Sequence, residues 1–237
     1  MSMDVKKTNF TVKANNVSLS KSGDDKYLNT IHPNYTMNTP NVSKETLIED
    51  MLAITAGTYD DEKVEAFGIT HYQYHDCDEK FLCSAGSYGG KKIEVHEDCY
   101  NAFKKMRADA AKAGHKIFII SGFRSERYQV DVFKRKFKDE NYPTPEEFKS
   151  RLKFSAPPGF SEHHTGLAID INSLEQNFKD TKEYAWLKVH AAEYGFEMSF
   201  PENNNQGLGF EPWHWRFVGK EETNPAREVF RAARENR

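Results

Sequence analysis

From residue 43 onward the chain carries apolar residues in two distinct periods. Leu47, Ile48, Met51, Leu52 and Ile54 recur at helical spacing behind Ser43, which can cap the helix, and Gly57 ends it. A second helix is predicted over 96–113, with Cys99, Ala102, Phe103, Met106 and Ala110 on one side and Gly114 as its stop. The run at 116–121, KIFIIS, reads as a buried strand, followed by a turn at Gly122 and a helix over 125–138. Thr144-Pro145-Glu146-Glu147 is a capping box with proline at the first helical position. The short helix it starts leads into a Pro/Gly loop at 156–160. Strands are predicted at 167–171, 196–200 and 210–218. Thr181 can cap a helix carrying Tyr184, Trp186, Leu187, Val189 and Ala192, stopped by Gly195, and Asn224-Pro225 opens a terminal helix.

Helices mixed with separated strands predict an α+β domain built on a small antiparallel sheet with flanking helices. Residues 1–42 differ: they are rich in Asn, Ser, Thr and Lys and show no sustained apolar period. They read as a flexible N-terminal segment, with the compact domain over 43–237. Their Asn-x-Ser/Thr triplets at Asn9, Asn16, Asn34 and Asn41 follow from that composition.

Overall composition narrows the function. At 38% hydrophobic residues there is enough apolar material for a core, and a net charge of -3 argues against a general nucleic-acid binder, which needs a basic face. No uninterrupted apolar run is longer than the four residues at 117–120, far short of the roughly 20 that span a bilayer. No apolar stretch follows the first charges of MSMDVKKTNF, so no secretory signal is read there. Three cysteines, an odd count, complete no disulfide framework and read as reduced thiols, although Cys77 and Cys83 are spaced to close a small loop. His71, His75, Cys77 and Cys83 match no standard zinc spacing.

Three segments carry chemistry: Ser161-Glu162-His163-His164-Thr165-Gly166-Leu167-Ala168-Ile169-Asp170, Glu211-Pro212-Trp213-His214-Trp215-Arg216, and Ser121-Gly122-Phe123-Arg124-Ser125. Catalytic zinc takes three protein ligands, usually histidine or carboxylate, and keeps one position open. His163, Asp170 and His214 supply such a set. Asp170 lies in an otherwise apolar strand, where an unpartnered carboxylate is costly. Gly166 allows the chain to turn between His163 and that strand. Strand alternation puts Trp213 and Trp215 on one face and His214 on the other. Glu211, three residues before His214, can reach a water without being a ligand. Arg124, behind a glycine at a strand end, offers a fixed cation for an oxyanion or a substrate carboxylate.

Together, Ser-x-His-x-x-Gly-x-Ala-x-Asp and a Glu-x-Trp-His about 40 residues later resemble the VanY-type D-alanyl-D-alanine carboxypeptidases. These belong with the lysostaphin-type peptidases and the hedgehog signalling domain. SGFRSERYQ resembles that family's Ser-Gly-Tyr-Arg-Ser block, with Phe123 for the usual tyrosine, and the likeness covers roughly residues 95–219. It implies a hedgehog/DD-peptidase-like fold and Zn2+ on His163, Asp170 and His214. It also implies a general base at Glu211, an oxyanion-side arginine at Arg124, and Ser161 and Gln129 in the substrate pocket. His164 departs from the glutamine common after the first ligand, but the spacing to Gly166 and Asp170 favours His163.

The activity implied is hydrolysis of the terminal D-alanine of peptidoglycan stem peptides. L,D-carboxypeptidase or endopeptidase action on the same scaffold is the alternative. A non-catalytic zinc module would need neither Glu211 nor Arg124. An exopeptidase must recognise a free carboxylate, for which Arg124 or Arg216 serves, Arg216 sharing the parity of His214. Such a substrate implies a periplasmic or cell-envelope location, with the signal absent from this sequence; a cytoplasmic location is the alternative.

Overall fold

The computed structural model describes residues 69–135, 137 and 145–235. The expected segment at 1–42, the helix capped by Ser43 and Thr144 of the capping box lie outside them. The elements are β1 (Leu82–Tyr88), β2 (Lys91–His96), α1 (Glu97–Lys112), β3 (Ile119–Ser121), α2 (Glu126–Lys134) and α3 (Pro145–Leu152). They continue with β4 (Ala168–Ile171), α4 (Lys182–His190), β5 (Phe196–Met198), β6 (His214–Phe217) and α5 (Pro225–Glu235). Strands β1 and β2 form an antiparallel hairpin, and a four-stranded antiparallel sheet runs in the order β3-β4-β6-β5. The α+β class with a small antiparallel sheet is therefore as expected.

Helix α1 starts where the His96 ring accepts from Asp98 N–H and ends before Gly114, which takes φ 82°. Its Cys99, Phe103, Met106 and Ala110 are buried against the sheet residues Ile169, Ile171, Trp215 and Phe217 and against Val229 and Phe230 of α5. Full burial of a side chain the size of Phe103 or Met106 contributes about 1.5–3 kcal/mol, so this layer ties α1 and α5 to the sheet. A second cluster of Phe133, Phe137, Phe148, Leu152 and Phe160 joins α2 to α3 and to the loop before β4. Arg151 strengthens that joint by donating from Nη2 and Nε to the carbonyls of Val132 and Phe133 at the end of α2, at 2.8 and 3.3 Å.

Several elements are shorter than their apolar runs. The strand expected over 116–121 pairs only at Ile119–Ser121. Upstream, the Asn172 side chain accepts from Phe118 N–H at 2.8 Å and donates to the Lys116 carbonyl at 2.8 Å, doing the work of a strand partner. The run at 210–218 is strand only from His214, because Glu211-Pro212 turns, with His214 N–H bonded to the Glu211 carbonyl at 3.2 Å. Helix α2 ends at Lys134 rather than 138, and α4 gives way at Ala191 to a 3-10 turn that Gly195 ends with φ 82°. The β1–β2 hairpin was not expected. Its signal is Gly89-Gly90, both at positive φ, between Tyr88 and Lys91. All three cysteines are free thiols.

Candidate metal centre

The sheet register builds the centre. Asp170 of β4 pairs directly with His214 of β6, so the two side chains leave the same face as neighbours. His163 arrives from a 3-10 turn, Glu162–Thr165, immediately before β4. Ser161 starts that turn by accepting from His163 N–H at 3.3 Å, and Gly166 ends it at φ 67°. The left-handed conformation swings the chain from His163 into the strand. A Cβ on Gly122 would overlap the Glu94 carbonyl and the Val95 side chain. Only glycine lets that segment press on β2 while its own carbonyl receives His163 Nδ1–H at 2.7 Å.

With Nδ1 so committed, His163 Nε2 carries the lone pair. It is buried, has no hydrogen-bond partner and lies 3.4 Å from Asp170 Oδ2. His214 Nδ1 lies 3.1 Å from Asp170 Oδ1. Among the described residues, His163, Asp170 and His214 form the group whose three ligand-type atoms gather, all within 4.8 Å of one another. Zinc bonds of about 2.0–2.2 Å in a tetrahedron require ligand separations of this order. Asp170 is 5% exposed and both imidazoles are less so. An unneutralised carboxylate there would cost several kcal/mol, a large share of the roughly 5–15 kcal/mol that holds a domain together. The orphaned Nε2 and this donor set fit a zinc ion.

The electrostatics agree. Burial would raise the Asp170 carboxyl, but His163 and His214 hold it well below the usual range. Burial and the Arg124 charge push His163 down to about 4. Burial also opposes charge on His214, but hydrogen bonds to Asp170 and Glu162 hold it up at about 10. Burial pushes Glu211 up to about 7, against the pull of His214 and Arg124. The Glu211 carboxylate stands 3.9 Å from His214 Nδ1, beside the three donors rather than among them.

Arg124 is fixed through its backbone: its N–H donates to the His163 carbonyl at 3.2 Å, and its own carbonyl meets His164 Nδ1 at 2.6 Å. Its Nε is buried without a partner. Burial lowers its pKa, countered first by Asp170 and then by Glu211, so both carboxylates face its charge. His164 accepts Gly159 N–H on Nε2 at 3.0 Å. Both of its nitrogens are thus engaged outside the cluster, which separates it from His163. Gln129 donates to the Ala156 carbonyl at 2.7 Å and keeps Oε1 buried without a partner.

One expected site residue goes elsewhere. Arg216 shares the face of His214, as parity required, but it is 4% exposed and bound to Glu162 at 2.7 Å and to Glu197 at 2.8 and 2.5 Å. Its guanidinium is committed to these carboxylates, which corrects the expectation that it meets a substrate carboxylate. Two charged residues went unread in the sequence. Glu162 is buried between His214 and Arg216, and Arg151 is a second cation near Arg124, its pKa lowered to about 10 by burial and by that neighbour.

A small antiparallel sheet that presents two histidines and an aspartate, with a free carboxylate and an arginine alongside, defines a metallopeptidase-like centre. The sequence model of the VanY D-alanyl-D-alanine carboxypeptidase family matches residues 92–220, and the chain belongs to that family. The protein YodJ of Bacillus subtilis (strain 168) is 34% identical over 138 residues, which cover 55% of this chain and 48% of YodJ. A D-alanyl-D-alanine carboxypeptidase of Enterococcus faecium is 32% identical over 130 residues, 54% of this chain and 38% of that protein. The chain thus matches about half or less of the length of these relatives. The solved structure of LdcB, an LD-carboxypeptidase, shares the fold, with a TM-score of 0.52 at 24% identity over 72% of this chain and 88% of that one. Among the described residues no helix is long and apolar enough to cross a membrane.

Proposed function

We propose that this protein is a zinc-dependent D,D-carboxypeptidase that removes the terminal D-alanine from peptidoglycan stem peptides. The observation that carries the reading is the buried His163–Asp170–His214 cluster with the Glu211 carboxylate 3.9 Å from His214 and outside the ligand set. Family membership supports the choice of bond, since the Enterococcus faecium relative is named for that activity.

His163, Asp170 and His214 would hold the zinc ion, which when bound polarises a scissile carbonyl and lowers the pKa of a water toward about 7. Glu211 accepts the proton of the attacking water and returns it to the departing amine, and its raised pKa suits both transfers. Arg124 places a positive charge, not spent on any carboxylate within ion-pair distance among the described residues, on the side where the carbonyl oxygen gains charge. Gln129 and Ser161 belong to the substrate pocket by their match to the family pattern; here they are 1% and 3% exposed, Gln129 donating to the Ala156 carbonyl and Ser161 accepting from His163 N–H. Residues 43–237 constitute the peptidase domain and 1–42 a separate N-terminal segment. The substrate places the protein's work in the periplasm or cell envelope.

Incubation of the zinc-loaded protein with stem peptides of defined length, with products identified by mass, tests the bond. The pentapeptide is expected to lose one D-alanine and the tetrapeptide to remain whole. Release from the tetrapeptide alone would make the protein an L,D-carboxypeptidase.

A further inference from the structure

We propose that Glu162 is the positioning residue of the metal centre, fixing the tautomer and tilt of His214 so that its Nδ1 lone pair is presented to the cluster. The inference rests on reading His163, Asp170 and His214 as metal ligands.

Glu162 stands next to His163 in sequence, but its side chain turns to β6. It fills the space between His214 and Arg216, two residues that strand parity puts on one face. Room for it exists because Arg216 pairs across the sheet with the small Ala168. Glu162 Oε2 lies 3.0 Å from His214 Nε2 and also accepts the Ser199 hydroxyl. Its other oxygen, Oε1, accepts from Arg216 Nη1 at 2.7 Å. Arg216 is in turn gripped by Glu197, and its guanidinium lies 4.8 Å over the Phe230 ring. Glu162 is 4% exposed, so neither oxygen has water as an easy substitute.

An ionised carboxylate only accepts, and a neutral imidazole has a single N–H. His214 meets a carboxylate at each ring nitrogen, Asp170 at Nδ1 and Glu162 at Nε2; ligation of a metal removes one of the two ring protons, and the neutral imidazole keeps the other. If Asp170 held it, Nδ1 would be closed to a metal. Glu162 draws it to Nε2, where the hydrogen bond is charge-assisted and leaves Nδ1 free to coordinate. The Gly122 carbonyl does the same for His163 from the other ring nitrogen. The two imidazoles are thus oriented by different devices, a backbone acceptor for one and a buried carboxylate, itself neutralised by Arg216, for the other.

Glu162→Gln is the informative variant. If its amide oxygen stays on Arg216, its NH2 meets Nε2 and sends the imidazole proton to Nδ1. If it flips, its NH2 opposes Arg216 Nη1. Zinc affinity, measured by competition with a chromophoric chelator, is expected to fall about 10–100-fold, as for other partners behind metal-bound histidines. In zinc-loaded wild-type protein, 15N-resolved NMR should show His214 protonated on Nε2, with a proton protected from exchange. That second measurement decides the matter even if the variant fails to fold. Equal zinc affinity in a folded Glu162→Gln, or a wild-type His214 bound to zinc through Nε2, overturns the role of Glu162 and leaves the ligand set standing. A wild-type protein that takes up no zinc overturns the ligand set itself, and the inference with it.

Discussion

Glu211→Gln is expected to retain zinc and fold while losing turnover by at least the roughly 100- to 10,000-fold that a general base contributes. The loss should lie near the top of that range, because the same carboxylate serves both proton transfers. Stability should not suffer. The folded state raises the Glu211 pKa from 4.5 to about 7, chiefly by burial, so ionising it withdraws stability as pH rises from the lower value through the higher. A neutral amide of the same shape carries no such burden at neutral pH, and the melting temperature should hold or rise. Rates of D-alanine release, read beside zinc content and thermal melts, check all three statements. Near-wild-type turnover would remove Glu211 from the mechanism.

His163→Ala and His214→Ala should both abolish zinc retention, with affinity falling by more than the roughly 10- to 100-fold of a residue behind the ligands. They should differ in what they do to the fold. His163 is held neutral, its pKa pushed down to about 4, and its one firm bond is to the Gly122 carbonyl. Its loss leaves a cavity and an unpaired acceptor. His214 separates two buried carboxylates, Asp170 and Glu162. Its loss leaves them facing each other across an emptied site, and breaking a buried charge pair costs about 3–5 kcal/mol. Metal-free His214→Ala should therefore melt well below metal-free His163→Ala. Full zinc content in either variant, measured by elemental analysis, would refute the ligand assignment.

The centre was readable because its geometry is local. Parity along β6 separates His214 from Trp213 and Trp215, and an aspartate among Ala168, Ile169 and Ile171 demands a partner. Parity names a face but not a destination, which is why Arg216 was read toward substrate when it turns to Glu162 and Glu197. Glu162 itself escaped notice because nothing near it in sequence signals burial. Its partners Ser199, His214 and Arg216 lie 37, 52 and 54 residues away. The hairpin was missed for a related reason: β1 buries none of its residues fully and keeps no regular alternation along its length, and Gly89-Gly90 alone marks the turn. Strand β3 was overextended because the Asn172 amide, from beyond the end of β4, occupies the backbone groups that a longer strand would pair.

A buried zinc centre that cuts next to a free terminal carboxylate must tell a free acid from an amide at that end. The most direct test offers zinc-loaded protein a stem pentapeptide as the free acid and as its C-terminal amide, and follows release by mass. Free D-alanine from the acid and no cleavage of the amide are expected. Equal cleavage of the amide, or cleavage of cross-linked dimers with no D-alanine released, would contradict it.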